Sequence, residues 1–232
     1  MIQIRDLNFG YDEGGFRLQV DELSIAAGER VAWTGRSGAG KTTLMHLVAG
    51  ILCPSAGRLT CCGTEMIGLG DAARRNFRVA NIGLVFQDFA LLDYLTVLDN
   101  ILLPYRINRS LLLKEAVLTR AVQLATDMGL DCLLMRRPTH LSHGERQRIA
   151  VCRALIANPR VVLADEPTAN LDEDNANRVL DALDQHVHRH GATLVVVTHD
   201  RDRTGRFDGT VDVSSFCKQP KAAGKGGNGD ER

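Results

Sequence analysis

An α/β fold with a mixed or parallel sheet is what this sequence predicts, from three observations. Runs at 161–164 and 194–197 are rich in β-branched residues and have the unbroken apolar character of strands buried on both faces. Other segments carry apolar residues at helical period, as in Leu44, Leu47, Val48 and Ile51 at i, i+3, i+4 and i+7. Between a short apolar strand at 30–34 and that helix lies Gly35-Arg36-Ser37-Gly38-Ala39-Gly40-Lys41-Thr42, which fits G-x-x-x-x-G-K-[ST]. In that pattern bare main-chain N–H groups wrap a polyphosphate, the lysine reaches its outer phosphates and the hydroxyl ligates a divalent cation.

Taken in order, residues 2–4 and 17–23 alternate partly between apolar and polar, with turn residues Asp12, Glu13, Gly14 and Gly15 between them. That predicts an N-terminal antiparallel β lobe, with Tyr11 in it. The glycine loop then demands strand, turn and helix in succession. A side chain at Gly38 or Gly40 would obstruct close approach of the backbone to a ligand, and positive φ there would favour glycine. The helix that follows offers unpaired N–H groups and the positive end of its dipole to the same ligand. Residues 79–86 read as a further strand, ending at Gln87.

From Gln87 to Asn158 the pattern turns helical, which predicts an α-helical lobe inserted at about 88–158. Ala116, Val117, Ala121, Leu124, Ala125 and Met128 share one face, with Ser110 as the expected cap. A second helix is expected to start at Ser142, because Ser142-His143-Gly144-Glu145 is an S-x-x-E capping box ahead of Ile149, Ala150 and Val151. A capped helix tip carrying a serine hydroxyl and a glycine N–H is also a good receptor for a terminal phosphate. The runs at 161–164 and 194–197 end in polar residues. Ligands of parallel sheets gather at the carboxyl ends of the strands, so Gly35, Gln87, Asp165 and His199 are expected to converge. One domain is expected over 1–217, and 218–232, rich in glycine and lysine, reads as a disordered tail.

Lys+Arg and Asp+Glu are balanced at 28 each, which argues against a general nucleic-acid surface. No stretch approaches the roughly 18 consecutive apolar residues of a membrane-spanning helix, and no basic-then-apolar leader opens the chain. Cys53, Cys61, Cys62, Cys132, Cys152 and Cys217 show no C-x-x-C pair or Cys/His ligand spacing, so they read as reduced thiols of a cytosolic protein.

With the glycine loop, the Leu141-Ser142-His143-Gly144-Glu145 segment followed by Arg146-Gln147-Arg148, and the Asp165-Glu166 strand end together, the chain resembles the ATP-binding cassette (ABC) ATPases of transporters over about residues 2–213. The resemblance implies a P-loop NTPase core with ATP and Mg2+ as cofactors. Gly35, Arg36, Ser37, Gly38, Ala39, Gly40, Lys41, Thr42 and Thr43 would then hold the phosphates, and Tyr11 would stack on adenine, with Phe9 and Phe16 as rivals. It further implies Thr42, Gln87 and Asp165 around the metal, Glu166 as general base, and His199 as a γ-phosphate contact that orients the water. Gln87 would sense the metal or the attacking water. The segment 167–172 would be a dimer-contact loop.

Ser142, Gly144 and Glu145 would complete the site of a second copy or a paralogue, so the resemblance implies as partners a second cassette in a head-to-tail pair, expected as a homodimer, and a membrane permease docking near Gln87 to Leu103. The location implied is cytoplasmic, peripheral on the inner face of the cell membrane. Nucleic acid is not among the implied partners, since cassettes acting on DNA or ribosomes carry a long coiled coil or two cassettes per chain. The 95–104 stretch resembles the lipoprotein-release and macrolide-efflux branch. The alternative is a cell-division-type regulatory cassette that transmits force without moving solute. Two departures from the family pattern stand out. His143 and Glu145 replace glycine and glutamine of Leu-Ser-Gly-Gly-Gln, and the 201–213 segment is short.

Overall fold

Two sheets built on opposite principles share one core in the computed structural model, which describes residues 1–12, 15–108, 110–169, 171–199 and 202–218. Glu13 and Gly14 of the expected turn, Asn170 of the expected dimer loop, and the expected tail from residue 219 onward lie outside the described residues.

The strands are β1 (Ile2–Gly10), β2 (Arg17–Ile25), β3 (Arg30–Thr34), β4 (Ala56–Cys61), β5 (Thr64–Glu65), β6 (Ile82–Val85), β7 (Val161–Asp165), β8 (Thr193–Val197), β9 (Gly209–Asp212) and β10 (Cys217–Lys218). One sheet has the order β10-β2-β1-β4-β5, with every pairing antiparallel. The other has the order β6-β7-β8-β3-β9 and is parallel throughout. The α-helices are α1 (Lys41–Val48), α2 (Asp71–Asn81), α3 (Val97–Ile101), α4 (Leu103–Ile107), α5 (Glu115–Asp127), α6 (His143–Leu155) and α7 (Glu173–His190).

The parallel strands explain their own composition. Along β7, Val161 and Leu163 enter the core shared with α1 and the antiparallel sheet, whereas Val162 and Ala164 enter the core shared with α5, α6 and α7. β8 divides the same way, Val195 and Val197 to one side and Leu194 and Val196 to the other. A two-residue period with both faces buried leaves no polar position, which is why these strands read as unbroken apolar runs. Because the strands run the same way, the residues following β3, β6, β7 and β8 emerge at one edge.

The expected α/β class, antiparallel lobe and helical region are all present, and several local expectations are corrected. Residues 79–81 are the last turn of α2 rather than strand, because β6 pairs with β7 only from Ile82, opposite Val161. The Asn81 amide donates to the Phe77 carbonyl, closing that helical turn. Ser110 does not cap α5. Its hydroxyl and N–H both donate to Asn108 Oδ1, and the helix starts after Lys114. Ile51 lies beyond the end of α1, where Gly50 at φ +63° stops the helix, and it is 40% exposed. The Ser142 capping box forms as expected, with both reciprocal bonds.

Gly83 shows how tightly β6 is held. A Cβ there would lie 2.4 Å from the Ala154 carbonyl oxygen and 2.9 Å from Pro159 Cγ, so backbone would have to move. Gly83→Ala is expected to lower stability by about 1–3 kcal/mol in chemical denaturation, the range for overpacking a filled core.

Candidate functional site

The glycine loop closes over its own lysine. Gly35, Gly38 and Gly40 have φ of +141°, +76° and +90°, a region that side chains rarely enter. Lys41 Nζ donates to the carbonyl oxygens of Gly35 and Arg36 at 2.9 and 3.0 Å, so the cation is held inside the loop it belongs to. At Gly40 a Cβ would lie 2.7 Å from the Phe16 ring, an intramolecular limit separate from the expected one on ligand approach. At Gly38 no atom lies within 4 Å of that position, so within the free protein the demand for glycine there is conformational.

A support for this loop was not foreseen in the sequence. Ser214, just past β9, accepts from the Arg36 N–H at 3.1 Å through its hydroxyl, and its own N–H donates to Asp212 Oδ1 at 2.9 Å. A Cβ on Gly35 would strike that hydroxyl at 2.7 Å. The only signal available is Asp212-Val213-Ser214, an ordinary Asx-turn pattern.

The loop runs straight into α1. Gly40 occupies the cap position without a side-chain acceptor, which leaves the first-turn N–H groups of Lys41, Thr42 and Thr43 directed at the loop mouth. The Thr42 hydroxyl donates to Asp165 Oδ2 at 2.6 Å, joining the start of α1 to the end of β7. Asp165 is 3% exposed, and burial pushes its carboxyl above the usual range, with the Glu166 charge adding to the rise. The Thr42 bond and the nearby His46 and Lys41 oppose that rise.

Glu166 sits in the left-handed region at φ +47°, held by a 2.9 Å bond from its N–H to the Val197 carbonyl of β8. Its carboxylate lies 2.9 Å from His199 Nδ1. A non-glycine residue at positive φ is a local strain, here held by the hydrogen bond to the neighbouring strand. Adjacent carboxylates therefore face different partners.

Two clefts meet at this edge. One, of about 820 Å3, is lined by residues 35–39 together with His199 and Ser214. The other, of about 560 Å3, is lined by Thr42, His46, Gln87, His143, Asp165 and Glu166 among others. The expected convergence of the loop, Gln87, Asp165 and His199 is thus present. His46 was not anticipated. It lies one helical turn beyond Thr42, and burial lowers the pKa of its ring.

Ser142, Gly144 and Glu145 line neither cleft. The Glu145 carboxylate accepts from the Ser142 N–H at 2.7 Å and so serves its own helix cap. His143, the departure noted above, turns its ring onto Phe89, with centroids 4.6 Å apart and an edge-on angle of 78°. Tyr11 is half exposed, its hydroxyl 3.2 Å from Thr43 Oγ1 and its ring edge-on to Phe9 at 4.9 Å. Phe16 lies 5.8 Å from Tyr11, so the three candidate aromatics form one cluster beside the loop.

Comparison with known proteins agrees with this geometry. The family described as ABC transporter matches residues 18–169. The lipoprotein-releasing system ATP-binding protein LolD of Geobacter metallireducens is 37% identical over 214 residues, covering 91% of this chain and 94% of its own length. The protein of the same name from Xanthomonas oryzae pv. oryzae is 39% identical over 208 residues, 88% of this chain and 84% of its own. Among solved structures, a dimeric post-hydrolysis state of the ATP-binding cassette MJ0796 bound to ADP and Pi superposes with a TM-score of 0.84 at 28% identity, covering 96% of this chain and 100% of that one.

The raised pKa of Asp165 has a consequence for stability. An acid whose folded pKa exceeds its unfolded value binds more protons when folded, so its ionisation costs stability as pH rises through that interval. Asp165→Asn keeps an acceptor for Thr42 and removes the charge. It is expected to raise the melting temperature of the nucleotide-free protein at neutral pH, and that gain should shrink as the pH is lowered into the carboxylate range.

Proposed function

Because the chain belongs to the ABC transporter family, we propose that it is the ATP-hydrolysing subunit of a transporter and powers a separate membrane permease, working as a pair of cassettes. One observation carries this reading. The glycine loop, Gln87, Asp165, Glu166 and His199 share two adjoining clefts, while Ser142 and Gly144, the other phosphate receptor, line neither, even though His143 between them lines the second. Such a protomer holds the catalytic half of a site and offers the remaining half to a second copy. The relatives named for lipoprotein release favour transport over a regulatory role of the cell-division type.

In this reading the N–H groups of residues 38–43 receive the polyphosphate, and Lys41 exchanges the carbonyls of Gly35 and Arg36 for phosphate oxygens. The residues near Asp165 suit Mg2+, since Thr42, Gln87 and Asp165 supply hard oxygen ligands at the mouth of the loop. Bound there, the ion would neutralise phosphate charge. Glu166 takes a proton from the attacking water as the water oxygen bonds to the γ-phosphorus and the bond to ADP breaks. His199 holds the Glu166 carboxylate and orients that water. Ser142 and Gly144 of the other copy close on the γ-phosphate, and Tyr11 with Phe9 and Phe16 receives the base.

The permease would dock at an apolar groove of about 260 Å3 between α2 and α4, lined by Val79, Phe86, Ala90, Leu103, Pro104 and Ile107 among others. Of the expected docking span of Gln87 to Leu103 only Ala90 and Leu103 line this groove, and its other walls come from residues 78–86, 104–107 and 153–157. Ile107 is 67% exposed there, as an unpartnered contact residue would be. Among the described residues no helix is long and apolar enough to cross a membrane, so attachment to the inner face of the cell membrane would come through that groove.

Glu166→Gln is expected to retain ATP binding, trap a nucleotide-bound dimer visible by size-exclusion chromatography, and cut phosphate release by about 10²–10⁴-fold, as loss of a general base does. Wild-type turnover in that variant would remove Glu166 from the role. Lys41→Ala should lose nucleotide binding in equilibrium titration. Ile107→Asp should keep the basal ATPase of the isolated subunit and abolish co-purification with the permease.

A further inference from the structure

The segment that follows Gln87 is bent more sharply than its residues prefer. Phe89 N–H donates to the Phe86 carbonyl at 3.1 Å, closing a turn around Gln87 and Asp88. Ala90 N–H then donates to the Asp88 carbonyl at 2.7 Å, a three-residue turn centred on Phe89 at φ +63°, and Ala90 itself sits at φ +47°. A three-residue turn of positive φ is rare and strained, and two successive non-glycine residues in the left-handed region persist only when their surroundings impose it.

The imposing group is Arg153, ten residues into the helix that Ser142 caps. Its guanidinium donates to the carbonyl oxygens of both Phe89 and Ala90. Arg153 is 8% exposed, and burial lowers its pKa to about 10, with the Asp88 charge opposing, so it remains a cation at neutral pH. Two main-chain carbonyls held by one planar cation fix both peptide planes, and hence the position of the residue just before the turn. From the same helix the His143 ring meets the Phe89 ring, and the Gln147 amide donates to the Pro167 carbonyl at 2.8 Å beyond Glu166. Arg153 and Ala90 also lie on the wall of the apolar groove.

We propose that Arg153 is a positioning residue for ATP hydrolysis: by pinning the strained turn at Phe89 and Ala90 it sets where Gln87 stands over the Thr42, Asp165 and Glu166 cleft, and it makes that loop move with α6. This rests on the hydrolytic reading above. A helix seated in the groove would press on Ala90 and Arg153, and displacement there reaches Gln87 and the Ser142 tip together.

The test is a double-mutant cycle on the full chain, with steady-state phosphate release as the readout. Arg153→Met is expected to lower kcat about tenfold or more, the scale of a small misplacement at a reacting centre, with KM for ATP changed less than about twofold. In a Gln87→Ala background Arg153→Met should have little further effect on kcat, because the residue being positioned is gone. Adding Ala90→Gly, which removes the cost of the left-handed turn, should restore most of the activity of the Arg153→Met variant. Where circular dichroism shows Arg153→Met unfolded, Arg153→Lys takes its place in the same cycle. An equal loss of kcat with and without Gln87, or wild-type kcat in a folded Arg153 variant, would overturn the proposal. Absence of ATPase activity in the wild-type chain would instead overturn the hydrolytic reading itself.

Discussion

A parallel sheet releases every strand at the same edge, and everything chemical in this protein depends on that. β3, β6, β7 and β8 each deliver one group to the edge: the glycine loop, Gln87, the Asp165-Glu166 pair and His199. No single segment of sequence could bring these together, because they span more than 160 positions of the chain. The 2.6 Å bond from Thr42 to Asp165 ties the first and third of them into one piece. Its cost is a carboxylate buried beside another carboxylate, and strand packing on both faces of β7 offsets that cost.

Strain is distributed along the same edge. Glu166, Phe89 and Ala90 are all non-glycine residues in the left-handed region, and each is held by a partner from another element. For Glu166 the partner is the Val197 carbonyl, and for the other two it is Arg153. Left-handed backbone of this kind costs about 1–3 kcal/mol per residue, so it survives only where tertiary contacts exceed it. Such residues are levers, because a shift in the partner releases the turn. Helix α6 is the shared partner of the turn after Gln87 and, through Gln147, of the segment after Glu166.

The edge itself was legible in the sequence because it is written in local chemistry. The glycine spacing of Gly35 to Thr42, the polar stop after 161–164, and the S-x-x-E box at Ser142 each carry a signal within a few residues. What was not legible depends on distant contacts. Phe89 and Ala90 contain no glycine to announce a left-handed turn, and the arginine that forces it stands 63 and 64 positions away. Ser214 supports Arg36 from 178 positions away, and its own pattern looks like any turn. The misreading of residues 79–81 as strand has the same root. Valine and alanine next to a strand look like its beginning, and only the register of β6 against β7 shows that pairing starts at Ile82.

His143 is the position where local pattern and tertiary structure diverge most usefully. A ring stands here in place of the family's glycine, at the first residue of α6, where a bulky side chain could crowd the helix cap. The ring packs edge-on to Phe89 and lines its own protomer's cleft together with Gln87. The Ser142 hydroxyl and the Gly144 N–H are thereby left at the tip, and the capping box remains intact. The substitution therefore leaves the helix cap undisturbed and adds a contact to the strained turn that Arg153 holds. With His143 at one end of α6 and Arg153 near the other, the loop carrying Gln87 is fastened twice to one helix, so the strained turn and α6 form a single mechanical piece and a shift of either is transmitted to Gln87.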